Sequence, residues 1–145
     1  MERMWTTLIK EARNKINTHE INPFIEYGNN ACAILTKDNN IYTGVNITSN
    51  SSINTSAEKS AIVNMINNGE TNITRMVILN ELEEIIPPSI QCLDYLLELS
   101  ESYGEVEVLL NESGESKTVL ELLPDWWGTY RNSKWCKIQK STIYT

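Results

Sequence analysis

Apolar positions along this chain recur first with a helical period and then with the period of strands. Between residues 3 and 17, Trp5, Leu8, Ile9, Ala12 and Ile16 fall three or four apart, which predicts an amphipathic helix. Asn22-Pro23 and Gly28-Asn29-Asn30 predict an irregular connection. Residues 31–36 form a small, apolar strand, Asp38-Asn39-Asn40 a tight turn, and residues 41–47 an alternating second strand, together a hairpin. The polar run 48–54 reads as a loop. A second helix is expected from Thr55 to about Asn67, with Ala57, Ala61, Ile62 and Met65 inward and Asn68-Gly69 as its stop.

The second half repeats the alternation. Residues 76–79 are continuously apolar, as a strand covered on both faces should be. Residues 81–84 form an acidic loop. Pro87-Pro88 stop any earlier helix, and Ser89 is placed to cap the next. That helix carries Cys92, Leu93, Leu96, Leu97 and Leu99 and ends near Tyr103-Gly104. Residues 106–110 form a strand, 111–117 a turn, 118–120 a short strand, and 120–123 one helical turn closed by Pro124. Strands that alternate with helices after an opening hairpin predict an α/β protein, a sandwich with a mixed sheet.

Composition narrows the function. With 145 residues the chain is one domain, read as residues 1–127 followed by an aromatic and basic tail, 128–145. A net charge of −7 argues against nucleic-acid binding, because phosphates repel an acidic surface. The tail differs locally, with Arg131, Lys134, Lys137 and Lys140. Apolar runs are too short to span a membrane, and residues 1–15 lack the apolar stretch of a signal peptide. Cys32, Cys92 and Cys136 form no disulfide framework, so a reducing, cytoplasmic setting is expected. Triplets such as Asn46-Ile47-Thr48 and Asn72-Ile73-Thr74 are then not glycosylated.

Two helix starts carry the candidate chemistry. Thr55-Ser56-Ala57-Glu58 opens one helix and Pro88-Ser89-Ile90-Gln91-Cys92 the other. Serines at these points are good caps, and Thr55-x-x-Glu58 fits a capping box. Glu58 reads equally as that cap or as a working carboxylate. Cys92 reads as a buried core thiol or as a reactive one. Two helix ends without thiolates are also able to hold an anion or an ordered water.

These elements together resemble the cytidine deaminase family, including its blasticidin-S deaminase branch. Ser56-Ala57-Glu58 stands where that family has Cys-Ala-Glu, and Pro88-Ser89-Ile90-Gln91-Cys92 where it has Pro-Cys-x-x-Cys. Leu35-Thr36-Lys37-Asp38, the strand Ile41-Tyr42-Thr43-Gly44-Val45-Asn46-Ile47 and the late Glu121-Leu122-Leu123-Pro124 extend the match to about Trp127. The resemblance implies a three-layer α/β/α sandwich with a five-stranded mixed sheet, assembled as a homo-oligomer (a dimer or tetramer). It implies hydrolytic deamination, with zinc at the positions of Ser56, Ser89 and Cys92 and Glu58 as proton shuttle. It assigns the sugar of a nucleoside to Asn46, whose companion carboxylate is here Thr48. The base-flanking aromatic falls to Phe24 or Tyr27. Trp126, Trp127 and Trp135 become a lid or an interface, or simply packing of the tail on its own subunit.

The sequence departs from that pattern at the metal. Neutral hydroxyls bind zinc poorly, Cys92 alone remains, and His19 lies too far along the chain to substitute. The expectation is therefore a deaminase-like protein that has lost zinc-dependent chemistry and binds no metal or other cofactor. It keeps a pocket for a nucleoside-like small molecule, or acts as a scaffold for a protein partner. The alternative is an active hydrolase using Glu58, with zinc only if the family activity is retained.

Overall fold

The computed structural model describes residues 1–51, 53–99 and 104–128. Their elements run α1 (Arg3–Arg13), β1 (His19–Asn22), β2 (Ile25–Thr36), β3 (Ile41–Ser49), α2 (Ala57–Asn67), β4 (Ile73–Leu79) and β5 (Ile85–Ile86). There follow α3 (Ile90–Leu99), β6 (Glu107–Leu109), β7 (Ser116–Thr118) and α4 (Val119–Leu122). Five strands form the body of the sheet in the order β3-β2-β4-β6-β7, with β1 added to β2 and β5 to β4. The β4–β6 pair is parallel and the others are antiparallel, so the sheet is mixed.

Alternation along the central strands builds two cores. Ala31, Ala33, Leu35, Val77, Leu79 and Leu109 cluster with Trp5, Leu8, Ile9 and Ala12 of α1. Cys32, Ile34, Met76, Ile78 and Val108 cluster instead with Ala61, Ile62 and Met65 of α2 and Leu93, Leu96 and Leu97 of α3. Adjacent residues on one strand thus feed opposite layers, as the two-residue strand period requires. This is the expected three-layer sandwich. The side chain of each fully buried leucine or isoleucine contributes about 1.5–3 kcal/mol by leaving water.

Gly44 sets the height of α2 over the sheet. A β-carbon there would lie 2.2 Å from the Ala61 nitrogen and 2.8 Å from the Ala57 oxygen. The helix backbone therefore rests directly on β3, which fixes where its first residues emerge.

The structure corrects several expectations. The segment around Gly28 is no irregular connection: β1 and β2 form a hairpin, and β2 is twice the expected length. Asn22 closes that hairpin, its Oδ1 accepting the N–H groups of Phe24 (2.8 Å) and Ile25 (3.2 Å). Gly28, at φ 84°, lets the strand bulge between Tyr27 and Ala31 and then resume pairing. A glycine-asparagine run that reads as a break is a bulge inside one strand. The first helix ends at Arg13, earlier than its apolar period suggests. β5 was not anticipated. The last strand lies at Ser116–Thr118, earlier than the expected 118–120, and its final residue Thr118 caps α4 in a capping box with Glu121. The end expected for α3 near Tyr103, and most of the tail, lie outside the described residues.

Candidate functional site

Two helix starts and one strand end meet at a cavity of about 570 Å³. β2 and β3 supply Asn30, Asn46 and Thr48, and the following loop supplies Asn54 and Thr55. The first turn of α2 adds Ser56 and Lys59; the start of α3 adds Ser89, Gln91, Cys92 and Tyr95. Thr55 pairs through its backbone with Ile47 (2.9 and 3.0 Å), which ties the start of α2 to the end of β3. That pairing brings Ser56 beside Asn46 although ten positions separate them.

Both serines work as caps. Ser56 Oγ accepts the Lys59 N–H at 3.1 Å, and Ser89 Oγ accepts the Cys92 N–H at 3.1 Å. The capping box expected from Thr55 is absent, because the cap is Ser56 and Glu58 is the second helical residue. Glu58 is buried, and its carboxylate accepts no hydrogen bond among the described residues. It lies off the cavity wall, within electrostatic reach of Cys92 and Cys32.

Burial pushes the Cys92 thiol up to about 12, and the charge of Glu58 adds to the rise. Cys32, fully buried on β2, is raised for the same two reasons in that order, with Cys92 a further contributor. Cys92 is thus a neutral core thiol at physiological pH. The donors at the family's zinc positions are two hydroxyls, each holding a helix N–H, and one thiol that resists ionisation. That set does not fit a zinc ion, which needs about three good ligands. His19 is no substitute: it sits on exposed β1, its ring against Tyr27 at 5.2 Å. Among the described residues, no three His, Cys, Asp or Glu side chains are grouped to hold a metal.

The remaining candidates divide. Asn46 lines the cavity, its Oδ1 accepting the Asn30 N–H (2.8 Å) and its Nδ2 donating to Thr48 Oγ1 (3.1 Å). Phe24 and Tyr27 do not line it; Phe24 projects from the β1–β2 turn into solvent. Trp126 is buried against the α2–α3 core, and both Trp126 and Trp127 donate their indole N–H to Asp94 Oδ1 of α3. Trp126 is buried within the chain, while half of Trp127 stays exposed. Trp135 lies outside the described residues. Sequence reasoning missed Lys59 and Tyr95. Each lies three positions after a predicted site residue, Ser56 and Cys92, and so on the same helical face.

This mixed sheet between helices is shared with solved structures of cytidine deaminases. The cytidine deaminase from Bacillus anthracis aligns at TM-score 0.71 and 22% identity, covering 93% of this chain and 97% of that one. That from Mycobacterium leprae aligns at 0.69 and 23%, covering 86% and 100%. That from Mycobacterium tuberculosis aligns at 0.69 and 21%, covering 88% and 99%. The fold is that of the cytidine deaminases. No family model matches the sequence, and no curated protein matches it.

Proposed function

We propose that this protein is a cytidine-deaminase fold without zinc-dependent deamination, whose cavity binds a nucleoside-like small molecule. The observation that carries this reading is the pair of caps. At both serine positions the side-chain oxygen accepts a helix N–H, as a cap residue does, which gives each serine a structural role that needs no metal. Asn46, beside Thr48, supplies the contact for a sugar. No helix among the described residues is long and apolar enough to cross a membrane. The reading places the protein in the cytoplasm as a homo-oligomer, with a protein partner as the other candidate occupant of its surface. Nucleic acid is disfavoured by the net charge of −7.

One observation favours a second reading. Glu58 is a buried carboxylate that accepts no hydrogen bond among the described residues. In an active hydrolase it would take a proton from water as the oxygen attacks an amino-bearing ring carbon. It would then return that proton to the departing ammonia. Elemental mass spectrometry of protein purified without a metal-affinity tag, with deamination assays on cytidine and blasticidin S, separates the two. The first reading expects no stoichiometric zinc and no ammonia release. About one zinc per chain with turnover overturns it, and turnover without zinc selects the Glu58 hydrolase.

A further inference from the structure

Among the described residues, Tyr95 is the one aromatic side chain on the cavity wall; Phe24 and Tyr27 stand outside it. Tyr95 lies in the second turn of α3 and is 39% exposed. Among the described residues its hydroxyl makes no hydrogen bond, and its ring meets no other ring and no cation. A tyrosine that serves packing buries its ring and finds a partner for its hydroxyl. Tyr95 keeps part of its ring and its hydroxyl available. Gln91 precedes it by four positions, one turn along the same face of α3, and also lines the cavity. Its carboxamide makes no hydrogen bond among the described residues either, and nor does that of Asn30 on β2.

The two side chains of α3 offer complementary contacts. An aromatic ring gives a planar heterocycle a face to stack on. A carboxamide carries an acceptor oxygen and two N–H donors, so it pairs with the ring nitrogens and exocyclic groups along the edge of the same heterocycle. We infer that Tyr95 is the stacking residue for the base of the ligand, with Gln91 holding the edge of that base. This rests on the nucleoside reading of the cavity and adds the residues that recognise the base. The base then belongs to α3, and the sugar to Asn46 on β3. The assignment needs no charge on the ligand.

The test is isothermal titration calorimetry of the full chain with cytidine and with D-ribose. Wild type should bind cytidine at least about tenfold tighter than D-ribose, the worth of a stacked base. Tyr95→Leu is apolar but has no π-face, and should weaken cytidine by at least about fivefold. Tyr95→Phe keeps the face and should stay within about twofold of wild type. Gln91→Ala should weaken cytidine by about fivefold, as the loss of one hydrogen bond does. Both positions are exposed, so the variants keep the fold. If Tyr95→Leu binds cytidine as tightly as wild type, or Tyr95→Phe loses as much as Tyr95→Leu, the stacking assignment fails while the nucleoside reading stands. If Gln91→Ala binds as wild type does, the edge assignment fails. If D-ribose binds wild type as tightly as cytidine, the base is not recognised and the inference fails. If neither probe binds wild type, the nucleoside reading fails and the inference with it.

Discussion

Replacing the two capping serines tests the central argument, because the same positions answer differently as alanine and as cysteine. Ser56→Ala removes the 3.1 Å bond to the Lys59 N–H at an exposed helix start, at a cost of about 1 kcal/mol. Ser89→Ala strands the Cys92 N–H in a half-buried setting, at about 1–2 kcal/mol. The double variant should lose about 2–3 kcal/mol, or on the order of 10 °C in melting temperature for a chain of this size. Thiols are poor acceptors, so Ser56→Cys with Ser89→Cys should lose about as much without metal. That variant, however, presents three thiols with Cys92. Zinc at a thousandfold excess over its dissociation constant should return about 4 kcal/mol. The assay is thermal and urea unfolding of wild type, the alanine pair and the cysteine pair, each with and without zinc. Metal-dependent recovery should be confined to the cysteine pair. If zinc raises the melting temperature of wild type, or the alanine pair is as stable as wild type, the serines are not replacing a metal as caps.

Three further outcomes follow from the packing and the titrations. Gly44→Ala drives a β-carbon to 2.2 Å from the Ala61 nitrogen, and backbone cannot yield as a side chain would. It should cost at least about 1–3 kcal/mol in urea unfolding and weaken cavity ligands by displacing Ser56; wild-type stability would refute the close approach. In a Cys136→Ser background, alkylation at pH 8 should be slower than in urea by on the order of a thousandfold, because both remaining thiols are neutral when folded. The Cys92 value is raised above its ordinary 9.0, so its contribution to stability is complete below that pH and is lost as pH climbs toward about 12. A urea midpoint that is flat across that alkaline window would contradict the burial. Asp94→Ala removes the acceptor shared by Trp126 and Trp127, leaving a buried indole N–H unsatisfied. A loss of about 1–3 kcal/mol and a red shift in tryptophan fluorescence are expected; unchanged emission would mean the indoles are held by other contacts.

The sequence by itself determined the layers and the two helix starts. A continuous apolar run such as Met76-Val77-Ile78-Leu79 requires cover on both faces, and serine before a helical period is a cap wherever the helix lies. Those are local rules, and they held. The bulge at Gly28, the hairpin closed by Asn22 and the capping box of Thr118 with Glu121 were decided by which strand each segment pairs with. Gly-Asn-Asn and Thr-Val-Leu are consistent with several local conformations, and pairing chooses among them. The cavity wall depended still more on tertiary structure. Lys59 and Tyr95 look like ordinary surface positions of two helices, and Asn30 like part of a turn. They become one wall only because Gly44 lets α2 settle on β3 and Thr55 pairs with Ile47. The chain alone shows serine at two positions where the family it resembles has cysteine; only the fold shows that both hydroxyls accept a helix N–H.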